Sequence, residues 1–248
     1  MKAYLGCDIG RARAENQDSI RAESYPDGVL AIVCDGMGGM ENGSAASKIA
    51  IAAAEDHFRN AYRNGMTDSE VCDLLRSSAA DANQKVYRAA VSSRMRSRMG
   101  TTLVGAFMRE NAACIVNIGD SRAYLLPKAG TLRQLTTDHT LVEDLIRHGE
   151  LTREEAADYP RKNVLTNALG VWDNIRYDVV LHNEPLDGFL ICSDGLHGYV
   201  AHEILKSIVF DRDSDPSLRA RRLVKQALLA GGYDNISVIL LDLEGEML

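Results

Sequence analysis

The chain has 248 residues, of which 46% are hydrophobic and 25% are charged, and its formal net charge is -7. These proportions are typical of a globular protein and exclude a disordered or collagen-like chain. The acidic balance argues against nucleic-acid binding, which needs a basic surface. We find no run apolar enough to span a bilayer or to act as a signal sequence. Five scattered cysteines without a Cys-x-x-Cys pair fit a reducing compartment, so we expect a cytoplasmic protein without membrane contact.

The predicted elements are strands and long helices that do not alternate as in a parallel α/β fold. In chain order, apolar runs and helical periodicity predict a strand at Val29–Cys34, helices at Ser44–Tyr62 and Asp68–Val91, strands at Thr102–Met108, Ala112–Ile118 and Ser121–Leu126, short helices at Leu141–His148 and Thr152–Ala157, a strand at Phe189–Cys192, a helix at Pro216–Ala230 and a strand at Ile236–Leu241. Tight turns between neighbouring strands indicate antiparallel sheets. We therefore predict an α+β fold in one domain, residues 1–248, with residues 141–162 as an excursion beside a site.

Two segments of the chain, residues 27–36 and 187–195, share a pattern in which an apolar run has Asp-Gly at both ends. At the strand starts, Asp27 and Asp187 are predicted to form turns, because Asp-Gly is a favoured turn pair. At the strand ends, Asp35 and Asp194 have a different context. Asp35 opens a glycine-rich loop that leads into a helix, and glycines let backbone approach a bound ion or phosphate closely.

Two further aspartates, Asp120 and Asp234, also lie at strand boundaries. The six histidines form no pair at metal-ligand spacing. Carboxylate oxygens without histidine partners favour Mg²⁺ or Mn²⁺ over zinc. We therefore predict a site for hard divalent cations built from aspartates at strand ends.

Eight short segments bear on the function when they are taken together. They are Asp8-x-Gly10-x-x-Arg13-x-x-Asn16-x-Asp18, Asp35-Gly36-Met37-Gly38-Gly39 with Gly43 and Ser47, Met99-Gly100-Thr101-Thr102-Leu103, Gly119-Asp120-Ser121-Arg122-Ala123-Tyr124, Leu135-Thr136-x-Asp138-His139, Leu165-Thr166-x-Ala168-Leu169-Gly170, Ser193-Asp194-Gly195-Leu196 and Asp234-Asn235-Ile236-Ser237. In this order they resemble the metal-dependent serine/threonine protein phosphatases (the PPM, or type-2C, family), especially short bacterial members. The resemblance extends over residues 8–240.

The resemblance implies a β-sandwich of two antiparallel sheets flanked by helix pairs, with two Mn²⁺ or Mg²⁺ ions at one end. By motif, Asp35 corresponds to the bridging ligand and Gly36 contributes its carbonyl. Asp194 and Asp234 correspond to the other direct ligands. Asp120 would help to bind a third, weaker ion. The excursion at residues 141–162 corresponds to the family's flap.

The resemblance also assigns two residues that are not ligands. Asp18 corresponds to a position that holds a metal-bound water, and Arg13 to the phosphate-binding arginine, whose planar fork suits phosphate oxygens. The implied reaction is hydrolysis of phosphoserine or phosphothreonine by direct attack of a metal-bridging hydroxide. The implied partners are phosphoproteins, including a cognate Ser/Thr kinase and its substrates, and we expect a monomer.

This sequence departs from the family pattern at several positions. Gln17 replaces a glutamate, so it can bind water but cannot take a proton. Met37 replaces a histidine that acts as general acid in animal relatives, so the leaving group needs another proton source, such as a metal-bound water linked to Asp120. Asn167 and Tyr159 replace the usual arginine and histidine on the flap side, where they affect substrate recognition.

Three rival functions remain open at the level of sequence. Cys7 and Arg13 have the spacing of a cysteine phosphatase, but Asp8 would repel phosphate and no Ser or Thr follows Arg13. A non-catalytic phosphoprotein-binding relative would be expected to lack one of the metal aspartates, and all are present. A hydrolase of small phosphorylated metabolites would use the same core chemistry.

Overall fold

The structure, a computed structural model, describes residues 1–39, 42–92, 99–128, 131–184 and 186–243. Over these residues the strands are β1 (Lys2–Asp8), β2 (Asp18–Tyr25), β3 (Gly28–Met37), β4 (Gly100–Thr101), β5 (Leu103–Met108), β6 (Ala113–Ile118), β7 (Arg122–Pro127), β8 (Arg133–Gln134), β9 (Asp178–His182), β10 (Leu186–Cys192) and β11 (Ile236–Asp242). The helices are α1 (Asn42–Ala61), α2 (Asp68–Ser92), α3 (Leu141–Arg147), α4 (Arg153–Ala157), α5 (Asp194–His197), α6 (His202–Val209) and α7 (Pro216–Leu229). The last five residues of the predicted domain, 244–248, lie outside the described residues.

The strands form two antiparallel sheets. One has the order β1-β11-β10-β7-β8, and the other has the order β2-β3-β5-β6-β9 with β4 paired to the end of β3. Apolar side chains from the inner faces of both sheets, such as Val33 and Ile115 from one and Phe189 and Ile239 from the other, form one buried cluster. This cluster is the core of a β-sandwich.

Helices cover the outer face of each sheet. Helices α1 and α2 pack on the sheet that contains β3, through side chains such as Phe58 and Leu75. Helices α5, α6 and α7 pack on the other sheet, through side chains such as Leu205 and Leu223. The layers are thus α-β-β-α, as predicted. Because both faces of β3 are covered, its apolar run is continuous and not alternating.

The local signals for α7 act as expected. The side chain of Asp215 accepts a hydrogen bond of 2.8 Å from the Ser217 amide, and Pro216 occupies the first turn. The helix ends before Gly231 and Gly232, both at positive φ. The predicted strands and helices are all present, with boundary shifts of one or a few residues.

Asp187 was predicted to form a turn, and that prediction is wrong. Asp187 lies within β10, where the pairing with β7 shifts register between Leu186 and Gly188. Its backbone oxygen accepts from the Leu243 amide at 3.0 Å, and its carboxylate pairs with Arg212. The prediction for Asp27 is confirmed, since it lies in the turn between β2 and β3.

Three further features complete the fold. Residues 141–162 carry α3 and α4 outside both sheets. Cys72 in α2 and Cys114 in β6 are joined as a disulfide, a pairing that the sequence did not predict. Among the described residues, no helix combines the length and the apolar character that crossing a membrane requires.

Candidate metal centre

Asp35 lies where β3 leaves the sandwich. Its backbone is fixed by Thr101 and Thr102, because the Asp35 amide donates to Thr102 Oγ1 at 2.9 Å and the Asp35 carbonyl accepts from the Thr102 amide at 2.9 Å and from Thr101 Oγ1 at 2.8 Å. The next residue, Gly36, donates its amide to the Gln17 carbonyl at 3.1 Å. A Cβ on Gly36 would collide with the carbonyl oxygens of Gln17 and Gly43. Only glycine fits this strand end, so the Asp35 carboxylate and the Gly36 backbone are held in place.

Asp194 and Asp234 come from neighbouring elements of the other sheet. Asp194 is the first residue of α5, separated from the end of β10 by Ser193, and Asp234 lies two residues before β11. Asn235 fixes the junction, since its side chain donates to the carbonyls of Ile9 at 2.9 Å and Glu15 at 3.0 Å and accepts from the Gln17 amide at 2.8 Å. This amide ties the loop after β1 to the start of β11.

Asp18 lies behind the open face of the site. It is paired with Asp35 in the register of β2 and β3 and is only 8% exposed. One of its carboxylate oxygens accepts from Ser193 Oγ at 2.8 Å, and Ser193 directly precedes Asp194. The other oxygen is buried without a hydrogen-bond partner. Asp18 therefore contacts the residue that precedes Asp194 and keeps one carboxylate oxygen without a hydrogen bond.

Asp120 occupies the turn between β6 and β7. Its backbone oxygen lies 2.9 Å from Nε2 of His197, a side chain of α5, which connects it to the element that carries Asp194. Asp120 and Asp194 both line the same cleft. The structure thus brings Asp120 to the group formed by Asp35, Asp194 and Asp234.

The electrostatics of these carboxylates are strongly unfavourable without a cation. Burial raises the pKa of Asp35 well above its usual range, and repulsion from Asp18 and Asp194 adds to it. Burial, followed by repulsion from Asp194 and Asp138, raises the pKa of Asp120 to about 8. Burial raises the pKa of Asp18 to about 6.

The donor set fits hard divalent cations. Oδ1 of Asp194 is buried with no hydrogen-bond partner, as an oxygen awaiting a ligand would be. In the described part of the chain, no three His, Cys, Asp or Glu side chains form a ready-made cage for one ion. The carboxylate and backbone oxygens of the cleft are of the donor type that Mg²⁺ and Mn²⁺ prefer.

A cleft of about 1030 Å³ opens over these carboxylates. Arg13 lines it, and its guanidinium donates to Asp234 Oδ2 at 2.7 Å while 54% of its side chain is exposed. Cys7, the nucleophile in the cysteine phosphatase alternative, does not line this cleft. Its sulfur accepts a hydrogen bond of 3.0 Å from Asn16 Nδ2. The cleft therefore favours carboxylate and arginine chemistry over a thiol nucleophile.

Several supporting residues were not singled out from the sequence. Asn235 and Ser193 belong to the motifs but had no assigned role. Asn167, expected on the substrate side, is instead only 7% exposed, and its side chain donates to His139 Nδ1 at 2.8 Å and bonds the backbone of Arg176. His139 is fully buried and also accepts from the Gly119 amide at 3.2 Å. This pair therefore supports the turn that carries Asp120, and an effect of Asn167 on substrate recognition stays a prediction.

Comparison with known proteins places these features in context. Residues 10–228 match the family model described as Protein phosphatase 2C. A serine/threonine phosphatase stp of Listeria welshimeri is 38% identical over 244 residues, which are 98% of this chain and 96% of that protein.

Solved structures show the same similarity. The serine/threonine phosphatase Stp1 from Staphylococcus aureus has a TM-score of 0.89 at 30% identity, with 98% of this chain and 95% of that chain covered. The catalytic domain of the serine/threonine protein phosphatase PstP in complex with two manganese ions has a TM-score of 0.83 at 30% identity, with 97% of each chain covered.

Proposed function

The chain belongs to the protein phosphatase 2C family and is a metal-dependent serine/threonine protein phosphatase, and on this basis we propose that its strand-end aspartates form the catalytic metal centre. The Asp35 carboxylate and the Gly36 carbonyl, together with Asp194 and Asp234, would hold two divalent ions. Asp120 and Asp194 would help to bind a third, weaker ion. The observation that carries this proposal is the convergence of these partly buried, mutually repelling carboxylates on one cleft.

The residues of the cleft divide the chemistry among them. Bound divalent cations supply a water of lowered pKa and positive charge for the phosphoryl oxygens. Asp35, Asp194 and Asp234 fix where that charge lies, because strand ends and the Asn235 hydrogen bonds hold their backbones. Asp18 accepts from Ser193 with one oxygen and presents the other to water. Arg13 exchanges its bond with Asp234 for the phosphate oxygens of the substrate.

The identity of the metal is part of the proposal. The solved relative with two manganese ions supports two Mn²⁺ ions, and the all-oxygen donor set accepts Mg²⁺ as well. Retention of all the metal aspartates does not favour a non-catalytic phosphoprotein-binding relative. Relatives named as serine/threonine phosphatases likewise disfavour an enzyme of small phosphorylated metabolites.

We also propose one catalytic domain in which residues 141–162 act as a flap. Support comes from a second depression of about 380 Å³, which is lined by Asp120 and Asp194 together with side chains from α3 and α4 such as Glu143 and Arg153. We propose that the protein acts in the cytoplasm as a monomer and that a Ser/Thr kinase phosphorylates its substrates. A kinase is required because each phosphoryl group that is removed must first be installed. Light scattering in solution tests the monomer.

Hydrolysis of a phosphothreonine peptide tests the function. We expect turnover that requires Mn²⁺ or Mg²⁺ and stops with EDTA. Asp35→Ala and Asp194→Ala should abolish it, since each removes a metal ligand. Leu229→Ala, a change at a side chain 63% exposed on the end of α7, serves as the matched control and should retain wild-type turnover. Full activity in either aspartate variant would remove that residue from the centre.

A further inference from the structure

Trp172, the single tryptophan of the sequence, stands at the mouth of the catalytic cleft. It is 47% exposed, although large aromatic side chains usually bury most of their surface. The same side chain also lines a second, shallow depression of about 490 Å³ that includes Asn174 and Ile175. Trp172 therefore stands between the catalytic cleft and a neighbouring surface depression.

The turn that presents Trp172 is held firmly. Asn83 in α2 is only 1% exposed, and its side chain donates to the carbonyls of Trp172 at 3.1 Å and Asp173 at 2.9 Å. The same side chain accepts from the Gly170 amide at 2.8 Å. Gly170 has a φ of 82°, and a Cβ there would collide with Val86. A buried amide with three hydrogen bonds thus fixes a turn whose tip leaves an indole exposed.

This turn is also tied to the metal centre. The backbone of Leu169 exchanges two hydrogen bonds with Thr101, at 3.1 and 2.9 Å, and Thr101 Oγ1 bonds the Asp35 carbonyl. The backbone of the turn that carries Trp172 is accordingly tied to the backbone of Asp35. Leu165, Ala168, Val171 and Met37 join Trp172 in the cleft lining, so this part of the lining is apolar while the reacting part is acidic.

We propose that Trp172 is a specificity-determining residue that receives an apolar side chain flanking the phosphorylated residue of a protein substrate. The inference rests on the proposed function, because the phosphorylated residue itself must lie at the carboxylates. A rigidly held, half-exposed aromatic offers contact area at little cost in conformational entropy. Trp172 is continuous with the cleft and has an apolar lining beside it. This surface favours an apolar flanking side chain over a charged one, because burying a charge without a partner is costly.

Kinetics with a peptide panel tests this. All peptides contain the same phosphothreonine. Each of the three positions before it and the three positions after it is tested in turn with a leucine and with an alanine. We expect wild-type protein to prefer leucine at one flanking position by about tenfold in kcat/KM, mostly through KM, as small changes in apolar contact allow. Trp172→Ala should reduce that ratio to about one, Trp172→Phe should keep most of it, and Leu229→Ala should keep all of it.

Fluorescence gives a second readout that does not depend on turnover. A phosphonate analogue of the preferred peptide, in which carbon replaces the bridging oxygen, should shift the Trp172 emission to shorter wavelength, and its alanine counterpart should shift it less. A leucine preference that survives Trp172→Ala, or wild-type protein that hydrolyses all peptides equally, would overturn the inference alone. Failure to hydrolyse any peptide would refute the proposed function and the inference with it.

Discussion

Replacement of Arg13 by alanine separates phosphate binding from metal binding. In the structure Arg13 donates one hydrogen bond to Asp234 while 54% of its side chain stays exposed. An exposed pair of this kind contributes at most about 1 kcal/mol. A charge-assisted hydrogen bond to phosphate contributes about 1.5–3 kcal/mol. The loss on Arg13→Ala should therefore be about 10–150-fold in kcat/KM for a phosphothreonine peptide, expressed mainly as a raised KM.

Metal binding by the same variant should change little. Removing the guanidinium frees an oxygen of Asp234, so Mn²⁺ affinity should stay the same or tighten by no more than about fivefold, the equivalent of about 1 kcal/mol. Titration calorimetry measures this affinity and steady-state kinetics measures KM. Arg13→Lys is the matched control, since it keeps the charge but loses the fork and should recover part of kcat/KM. An unchanged KM, or loss of stoichiometric Mn²⁺ binding, would refute the assignment.

Four other predictions address the fold and the centre. Gly36→Ala should lower both thermal stability and activity, because the added Cβ meets two carbonyl oxygens, and thermal unfolding beside peptide turnover checks it. Arg219→Ala should cost about 3–5 kcal/mol of unfolding free energy in a denaturant titration, because it breaks the buried ion pair between Arg219 and Asp242; a change below 1 kcal/mol would contradict this. Metal-free protein should lose stability as pH rises from about 5 to 8, because the folded-state pKa values of Asp18 and Asp120 lie above their unfolded values, so these carboxyls stabilise the fold only while protonated. Mn²⁺ at a fixed concentration of about 100 times its Kd at pH 8 should add about 2.7 kcal/mol there, roughly 5–10 °C in Tm, and less at pH 5, where protons compete for the carboxylates; an equal shift at both pH values would contradict the linkage.

Local sequence signals predicted much of the fold, because they depend on neighbouring residues. The buried run at the start of β3 and the Asp215–Pro216 start of α7 are examples. Strands β1 and β2 were missed, since both are sheet edges in which exposed side chains interrupt the apolar pattern. Asp187 was misassigned because its partners, Arg212 and the Leu243 amide, are distant in sequence.

In the candidate site too, local motifs indicated some residues, while others are recognisable only from contacts between distant parts of the chain. The motifs led to Asp35, Asp194, Asp234 and Asp120, and the structure brings all four to one cleft. The support from Asn235 could not be predicted, because its amide bonds backbone atoms more than 200 residues away.

Manganese binding measured together with peptide hydrolysis tests the central claim, that strand-end aspartates form the catalytic metal centre, most directly. Wild-type protein should bind at least two Mn²⁺ ions in a calorimetric titration and hydrolyse a phosphothreonine peptide only when they are bound. Asp194→Ala should lose both ion binding and turnover, while Leu229→Ala should keep both. An Asp194→Ala protein that binds the same number of ions with the same affinity and retains full activity would contradict the account.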